Sequence, residues 1–325
     1  MIITRTPLRI GLAGGGTDLP SYYRAHGGGA CVNAAIDRYI HVLVNEKFDR
    51  SIRVAYSKTE NVESLDQLQH ELVREAMRYA GVHDSLEIHT IADIPSEGTG
   101  LGSSSALTVG LLNALYAYRG ILKDPVELAE AACRIEIDVL HGTLGKQDQY
   151  IAALGGVQYL EFEADDSVRS TPLPLSTRDR EALGAHLSLF YTGITRNAQG
   201  ILKQMDGRTE ANLAALGRMR ELAAAARDAI VATDWAELGR LLDEGWALKR
   251  GLSSGISTAE IDRQYERAKA AGAWGGKITG AGGGGFLLLV HPPERSGQIA
   301  DALQPMRRTP VRIAPVGSRI LFVGR

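Results

Sequence analysis

The sequence has 325 residues, a formal net charge of −2 and 44% hydrophobic side chains, which is enough apolar material for one large domain or two ordinary ones. Acidic and basic residues are mixed along the chain and aromatic residues make up only 6% of it, which argues against a general nucleic-acid-binding surface. The two cysteines, Cys31 and Cys133, are too far apart for a CxxC-type zinc site or a disulfide framework, so we expect two buried thiols in a reducing compartment.

The first residues, MIITRTPLRIGLAGGG, lack the basic and apolar regions of a secretion signal, and no run approaches the length of a membrane span. We therefore expect a cytoplasmic protein whose partner is a small molecule, with neither a membrane nor a nucleic-acid partner. The sequence leaves open whether the chain forms a homodimer.

Apolar periodicity predicts alternating strands and helices along the chain. Strands are expected at Leu8–Ala13, Tyr39–Asn45, Ile52–Tyr56, Leu86–Thr90, Val157–Phe162, Leu187–Tyr191, Gly285–Val290, Val311–Pro315 and Ile320–Val323. Helices are expected at Leu65–Tyr79, Ser103–Ala117, Pro125–Leu140, Ala198–Met205, Glu210–Ala232, Ala236–Leu248, Thr258–Ala271 and Arg295–Leu303. Asp124 before Pro125 is typical of a helix start.

The composition changes after about Leu175, where mixed elements and glycine-rich loops give way to a long helical block rich in alanine, leucine and charged residues. The polar segment Thr177–Ala185 predicts a boundary there. We therefore expect a first domain over residues 1–180 and a second over residues 181–325.

The stretch PSEGTGLGSSSA, from Pro95 to Ala106, combines three glycines with three serines ahead of an apolar helical pattern. Glycines allow a close approach of main-chain amides to a ligand, and the start of a helix adds further N–H donors. The stretch therefore predicts a site for a polyphosphate.

Two better-known phosphate motifs do not fit the chain. A Walker A loop would need Gly-Lys-Ser/Thr at its end, which is missing here. The segment GLAGGGTDL resembles a dinucleotide-binding fingerprint, and Asp37 lies ~20 residues further on, where that fingerprint has an acidic residue. However, Leu19 occupies the third glycine position, and Pro20 interrupts the run into a helix.

Two further glycine clusters, PLRIGLAGGGTD (Pro7–Asp18) and KITGAGGGGF (Lys277–Phe286), complete a set of three. In their order and spacing they resemble the GHMP kinases, a family of small-molecule kinases that includes galactokinase, homoserine kinase, mevalonate kinase and phosphomevalonate kinase. The resemblance implies ATP as cofactor and a two-domain fold of α/β and α+β character. A mixed-sheet first domain and a ferredoxin-like second domain would enclose an active site in the cleft between them. The implied nucleotide-binding residues are Pro95, Gly98, Gly100, Leu101, Gly102, Ser103, Ser104 and Ser105.

The same resemblance implies the catalytic residues. Asp148, in GTLGKQDQY, is similar to the Asp of the Asp-Gln segment of sugar kinases, which is the proposed base. Arg9 would lie beside it and beside the transferred phosphate. Thr17 and Asp18 would bind the sugar, and Asp18 would accept hydrogen bonds from its hydroxyls. Galactokinases have Glu-His-Thr before this aspartate, whereas this chain has Gly-Gly-Thr, which argues against galactose.

A magnesium ion is implied as well. Glu136 is similar to the metal-binding glutamate of the family, and Ser104 is the expected hydroxyl ligand with Ser103 close behind. Asp138 remains an alternative to Glu136, because the register of that segment is uncertain by one residue.

The segments GGGTDLPSYY, FYTGITRNAQGIL and GLSSGISTAEID resemble a narrower branch that contains D-glycero-D-manno-heptose 7-phosphate kinases, with L-fucokinases as relatives. The resemblance implies phosphorylation of an anomeric hydroxyl, which would feed the synthesis of nucleotide-activated heptose and surface polysaccharide. A phosphorylated sugar needs cationic ligands, for which Arg196 comes first, followed by Lys203 and Arg24. The third glycine cluster would contribute Gly280, Ala281 and Gly282 to the substrate side.

Three alternatives remain at this point. The chain could be a kinase of L-fucose or another neutral sugar, a sugar- and ATP-binding regulator without catalysis, or a decarboxylase of the same family. The presence of Asp148, Arg9, Ser104 and Glu136 argues against the regulator, and the sugar-kinase-like segment around Asp148 argues against the decarboxylase.

Overall fold

The computed structural model of the protein describes residues 1–95, 98–194 and 198–324, and these residues form two separate sheets flanked by helices. The first sheet has eight strands: β1 (Ile2–Ala13), β2 (Gly29–Glu46), β3 (Ile52–Ala55), β4 (Thr59–Val62), β5 (Leu86–Ala92), β6 (Val157–Phe162), β7 (Val168–Pro172) and β12 (Arg319–Val323). The second has four strands: β8 (Leu187–Tyr191), β9 (Gly275–Ile278), β10 (Phe286–Val290) and β11 (Arg308–Pro310).

The first sheet is mixed, with the strand order β12-β1-β2-β5-β3-β4 and a branch through β6 and β7. Strand β2 connects the two parts, since its first half pairs with β6 and its second half with β5. The first eight residues of β2 are all buried, whereas burial alternates with exposure from Ile40 onward. This change in pattern marks where the strand leaves the core and becomes covered on one face only.

The first half of the chain forms the helices α1 (Pro20–Tyr23), α2 (Glu71–Ala80), α3 (Ser103–Tyr118), α4 (Pro125–Cys133) and α5 (Gln147–Leu154). Helix α3 packs against β1 and β2. A Cβ on Gly110 would lie only 2.6 Å from Oγ1 of Thr6, so this helix approaches the sheet at a position where only glycine fits. The start predicted at Pro125 is confirmed, because the Asp124 side chain accepts a hydrogen bond from the Glu127 N–H.

The second sheet is antiparallel with the order β11-β8-β10-β9. Numbered within this sheet alone, the order is fourth, first, third and second, which is the arrangement of a ferredoxin-like fold. The remaining helices are α6 (Thr177–Ala185), α7 (Ala198–Asp206), α8 (Leu213–Val231), α9 (Trp235–Leu252), α10 (Ala259–Ala270) and α11 (Ser296–Ala302).

Several sequence-based assignments need correction. The polar segment Thr177–Ala185, in which the composition predicts a domain boundary, forms helix α6, and Ser176 and Asp179 form a capping box at its start. The expected helix Pro125–Leu140 is α-helical only to Cys133 and continues as a π-helix over Arg134–Val139. The expected strand Val311–Pro315 is wrong, because the last strand of the second sheet is Arg308–Pro310.

The proposed domain boundary at residue 180 lies within α6, between the two sheets, and it remains a proposal. Strand β12 belongs to the first sheet, where it pairs with β1, although the proposal assigns it to the second domain. Both cysteines are buried and free, as expected. Within the described ranges, none of the helices has the length and apolar run needed to cross a lipid bilayer.

The second and third glycine clusters touch through their backbones. A Cβ on Gly100 would lie 2.5 Å from the Thr279 carbonyl oxygen, and a Cβ on Gly280 would lie 2.7 Å from the Gly100 Cα. The Thr279 hydroxyl donates to the Thr99 carbonyl oxygen at 3.1 Å. The absence of side chains therefore brings a loop of the first sheet directly onto a loop of the second.

Alanine substitutions at Gly100 and Gly120 distinguish the effect of this backbone packing from the effect of a left-handed backbone conformation alone. Gly100 has φ +70° and Gly120 has φ +75°, but no described atom lies within 4 Å of a Cβ built on Gly120. We expect Gly120→Ala to lower the free energy of unfolding by about 1 kcal/mol. Gly100→Ala should lower it by about 3 kcal/mol, because strain and a backbone clash add. Urea denaturation measures both, and equal losses would contradict the packing argument.

Candidate active site

A cleft lies where the first and third glycine clusters come together. It is lined by β1 and the loop after it, by the start of α5 and the residues before it, and by α7, α9, β9 and the third cluster. Its polar residues are Arg9, Asp18, Gln147, Asp148, Lys249 and Lys277. The first and third clusters thus contribute to one cavity.

Arg9 and Asp148 form a bidentate ion pair in this cleft. The Arg9 Nε and Nη2 atoms donate to the two carboxylate oxygens of Asp148, each at 2.6 Å. Arg9 is nearly buried, with 7% of its side chain exposed, whereas 22% of the Asp148 side chain is exposed to the cleft. Because each carboxylate oxygen has two lone pairs and accepts one guanidinium hydrogen bond, Asp148 keeps the capacity to accept a further proton.

Main-chain contacts fix the position of this pair. The Arg9 N–H donates to the Leu101 carbonyl oxygen at 3.0 Å, and Arg9 Nη1 donates to the Gly100 carbonyl oxygen at 2.6 Å. A Cβ on Gly102 would lie 3.0 Å from Arg9 Cγ and 3.4 Å from Asp148 Oδ2. The second glycine cluster is therefore wrapped around the arginine, and Gly102 leaves room for the ion pair.

Asp18 lies deeper, 3% exposed, and lines the same cleft. Its Oδ1 accepts from the Gly16 N–H at 2.9 Å and its Oδ2 from the Gln147 side-chain amide at 2.8 Å. Burial raises the pKa of Asp18, and the negative charge of Asp148 acts in the same direction. Two hydrogen bonds hold this carboxylate in place and leave lone pairs for a hydroxyl donor.

Helix α3 begins at the second cluster without a side-chain cap at Gly102, which has a left-handed conformation. Such a helix start offers main-chain N–H groups to an anion. Ser103 and Ser104 line a separate groove beside it, whose walls include Tyr56, His70 and Leu107. This groove is partly apolar and opens directly at the start of the helix.

Glu136 is buried in the π-helical segment, only 4% exposed, whereas Asp138 is exposed. The structure therefore favours Glu136 over Asp138 as the inward-facing carboxylate. Its Oε2 accepts from the Ser105 hydroxyl at 2.9 Å, and its Oε1 has no hydrogen-bond partner among the described residues. Burial raises the pKa of Glu136 to about 7.

The oxygens around Glu136 fit a magnesium ion in part. A buried carboxylate oxygen without a partner and nearby serine hydroxyls are hard donors of the kind magnesium prefers. The serine that contacts Glu136 is Ser105, whereas Ser104 is exposed. Among the described residues, no three of His, Cys, Asp and Glu lie together as a metal site, so phosphate and water would supply most ligands.

Lys249 and Lys277 line the cleft, and neither lysine is predicted from the sequence to have a role in the site. Both are buried, with 4% and 8% exposure, on α9 and β9 respectively. Burial lowers the pKa of Lys249 to about 7 and that of Lys277 to about 8. Lys277 is the first residue of the third cluster, and this position is a sequence signal that it lies near the cleft. Lys249 lies in an ordinary amphipathic helix and carries none.

Several expected substrate residues are not in the cleft. The Arg24 guanidinium is exposed and pairs with Asp166 at 2.8 Å, and Lys203 points to solvent from α7. Thr17 is buried and its hydroxyl contacts the carbonyl oxygens of Gly14 and Ala30, so it stabilises the turn of the first cluster.

The other predicted residues divide as follows. Gly280 and Ala281 line the cleft, whereas a Cβ on Gly282 would meet the Ile256 carbonyl oxygen at 2.8 Å, which gives that glycine a packing role. Pro95 is exposed and Gly98 is half-buried at the start of the second cluster. Arg196 lies outside the described residues.

Comparison with known proteins identifies the class. The model of the GHMP kinases N terminal domain matches residues 68–156, and the model of the GHMP kinases C terminal domain matches residues 226–306. The chain belongs to the GHMP kinase family. It is a small-molecule kinase, and ATP is its phosphoryl donor. The predicted family, two-domain fold and enzyme class are therefore confirmed.

Within the family, the chain is similar to D-glycero-alpha-D-manno-heptose 7-phosphate kinase of Campylobacter jejuni, with 33% identity over 93% of each chain. It is 31% identical to the L-fucokinase/L-fucose-1-P guanylyltransferase of Bacteroides fragilis over 88% of its own length and 34% of that protein. A crystal structure of a D-glycero-D-manno-heptose 1-phosphate kinase from Bacteroides thetaiotaomicron superposes with a TM-score of 0.83 at 27% identity and covers both chains completely.

The buried carboxyl group of Glu136 leads to a test by thermal unfolding. The pKa of Glu136 is about 7 in the folded protein and 4.5 ordinarily. Between pH 4.5 and 7 the folded protein therefore keeps a proton on this group that the unfolded chain loses. The contribution of this group to stability therefore falls as pH rises from 4.5 to 7 and stays low above 7. We expect the Tm of Glu136→Gln relative to wild type to rise between these pH values.

Glu75→Gln serves as a comparison of opposite sign. Burial raises the pKa of Glu75, but Arg78 and Arg74 lower it by more, so the net shift is downward. The ion pairs of Glu75 therefore stabilise the protein at neutral pH, and this stabilisation is lost as the carboxylate is protonated in acid. The relative Tm of this variant should fall as pH rises. A relative Tm of Glu136→Gln that does not depend on pH would contradict the assignment of a buried, protonated carboxyl group.

Proposed function

We propose that this kinase transfers the γ-phosphoryl group of ATP to the anomeric hydroxyl of D-glycero-D-manno-heptose 7-phosphate and forms the 1,7-bisphosphate. Such a product would serve the synthesis of nucleotide-activated heptose for surface polysaccharide. The observation that carries the reaction type is the Arg9–Asp148 pair, which holds a carboxylate at the edge of the cleft. The similarity to heptose phosphate kinases supports the sugar.

In the proposed reaction, Asp148 accepts the proton of the sugar hydroxyl as its oxygen attacks the γ-phosphorus. One oxygen–phosphorus bond forms, the bond from the γ-phosphorus to the bridging oxygen breaks, and ADP leaves. The Arg9 guanidinium orients the carboxylate and offsets charge that develops on the transferred group.

We assign the nucleotide to the second glycine cluster and the groove beside it. Main-chain N–H groups at the uncapped start of α3 would hold the phosphates, together with the hydroxyls of Ser103, Ser104 and Ser105. The partly apolar groove that Ser103 and Ser104 line is suited to a nucleoside. Its aromatic wall is formed by Tyr56 and His70, whose ring centres are 4.7 Å apart.

A magnesium ion, when bound, would neutralise phosphate charge and help to align the γ-phosphoryl group. Glu136 would hold it, with Ser104 as the hydroxyl ligand that the family resemblance implies. Ser105 would act through Glu136, since its hydroxyl donates to that carboxylate.

Asp18 is the proposed acceptor for hydroxyls of the sugar. It is held by Gln147 and Gly16, lines the same cleft as Asp148, and faces Gly280 and Ala281 across it. The buried setting strengthens hydrogen bonds to a sugar, because water does not compete for the carboxylate.

A kinase of L-fucose or another neutral sugar is the second candidate, supported by the similarity to the Bacteroides fragilis protein. A non-catalytic regulator is less well supported, because Arg9 and Asp148 form a complete ion pair in the cleft and Glu136 lies buried near Asp148.

The role of Asp148 is tested by Asp148→Asn, which keeps the shape of the side chain and removes its basicity. We expect turnover to fall by about 100- to 10,000-fold while nucleotide binding is retained. Asp166→Asn is a matched control, since Asp166 also forms a two-point pair with an arginine, but at the surface. Unchanged turnover in Asp148→Asn would exclude Asp148 as the base.

A panel of sugars and sugar phosphates, with the product examined by phosphorus NMR, tests the substrate. We expect consumption of ATP with heptose 7-phosphate and a new phosphate on the anomeric carbon. Heptose 1-phosphate should be inert, because its anomeric oxygen already carries the phosphate. Turnover of L-fucose alone would favour the second candidate.

The metal ligands are tested by the magnesium dependence of turnover. Ser104→Ala should raise the magnesium concentration needed for half-maximal activity about tenfold, since water replaces a fixed ligand. Ser170→Ala, on edge strand β7, should leave it unchanged. The same requirement in Ser104→Ala and wild type would remove Ser104 from the proposed ligand set.

A further inference from the structure

The cleft contains two lysines that the proposed reaction does not use. Lys249 belongs to α9 and Lys277 to β9, and both line the same cleft as Asp18. Neither side chain reaches bulk solvent to any extent, with exposures of 4% and 8%. The positive charges of Lys277 and Arg9 lower the pKa of Lys249, and that of Arg9 lowers the pKa of Lys277.

No carboxylate pairs with either lysine among residues 1–95, 98–194 and 198–324. The Lys249 Nζ donates to the Gly280 carbonyl oxygen, which satisfies a hydrogen bond but supplies no charge. Arg9 is already paired with Asp148. A buried ammonium group without an ion-pair partner is costly. Burial lowers the pKa of both lysines, and the negative charge of Asp18, which acts in the opposite direction, does not offset this effect. An anionic ligand in the cleft would remove this cost.

The position of the lysines indicates which anion they suit. Ser103 and Ser104, at the start of α3, line the groove proposed for the nucleotide, and neither lysine lines that groove. Lys249 and Lys277 line the cavity of Asp18, where the acceptor would lie. A sugar phosphorylated at the end remote from its anomeric carbon needs a proton acceptor at one end and cations at the other.

We propose that Lys249 and Lys277 bind the phosphate that the acceptor sugar already carries, a phosphomonoester remote from the reacting hydroxyl. This inference rests on the proposed function, since it assumes a phosphorylated acceptor in this cleft. It replaces Arg24, which is paired with Asp166, and Lys203, which points to solvent, as the residues that recognise this phosphate. Lysine suits the role because its ammonium group binds phosphate as a point charge.

The test compares heptose 7-phosphate with the same heptose lacking the phosphate, in wild type, Lys249→Met and Lys277→Met. Each variant should raise KM for the sugar phosphate about 10- to 100-fold, the loss typical of a charged hydrogen bond. KM for ATP and kcat/KM for the neutral heptose should change by less than about twofold. Lys277→Arg should recover part of the affinity. Lys123→Met removes a lysine that pairs with Glu127 outside the cleft and should behave as wild type.

Thermal unfolding and phosphate binding separate the remaining outcomes. Methionine removes a buried unpaired charge, so the Tm of each variant should equal or exceed that of wild type. A Tm below that of wild type would indicate a structural role for the lysines. An equal loss of kcat/KM with heptose 7-phosphate and with the neutral heptose would indicate contact with the γ-phosphate. Either result would overturn the inference.

Stabilisation of the protein by inorganic phosphate, relative to chloride, should be present in wild type and lost in both variants. Failure of the proposed function appears in wild type alone, as inactivity with heptose 7-phosphate. The phosphate measurement still decides the inference in that case, because stabilisation that persists in the variants overturns it.

Discussion

The bidentate ion pair between Arg9 and Asp148 determines how the rest of the cleft is arranged. Arg9 lies on a central strand and is held by main-chain carbonyl groups of the second glycine cluster, while Asp148 lies at the start of a helix. The pair therefore joins a strand, a loop and a helix that are distant in sequence. Its geometry requires a glycine at position 102, because a side chain there would press on both partners.

The glycine clusters serve two physical purposes. At Gly100 and Gly280 they allow two loops to pack backbone against backbone, and at Gly102 they leave a helix start uncapped. The first purpose closes the cleft, and the second leaves N–H donors for phosphates. Near this helix start, Ser105 contacts the buried carboxyl group of Glu136. The cleft of Asp18 contains two buried lysines that have no ion-pair partner among the described residues. Such groups lower stability and are typical of binding sites that ligands complete.

Features that a short contiguous motif encodes could be predicted from the sequence, whereas features that depend on tertiary packing could not. The three clusters are contiguous motifs, and the family and enzyme class that they indicate are confirmed. Asp18 ends the first cluster and Asp148 lies in the separate segment GTLGKQDQY, and both line one cleft. The choice between Glu136 and Asp138 depends on which side chain is buried. The sequence does not provide this information, because the register of the segment is uncertain by one residue. Lys249 was missed because its helix has an ordinary pattern, and it reaches the cleft only through the packing of α9 against β9.

Errors in the elements have similar causes. Helix α6 is missing from the predicted elements because its composition is polar, although Ser176 followed by Asp179 is a capping pattern. The expected strand Val311–Pro315 contains and follows prolines, which are unsuited to a sheet interior. Arg24 shows the limit of charge as a signal, since a basic residue near a motif can equally well pair with a surface carboxylate.

The pairing of β12 with β1 has a mechanical consequence. The polypeptide leaves the eight-stranded sheet after β7, builds the four-stranded sheet, and then returns to the first. The second unit is thus tethered at two places, once through α6 and once through the segment before β12. A single proteolytic cut in either tether would leave both halves physically joined, and relative motion of the halves would have to bend both tethers together.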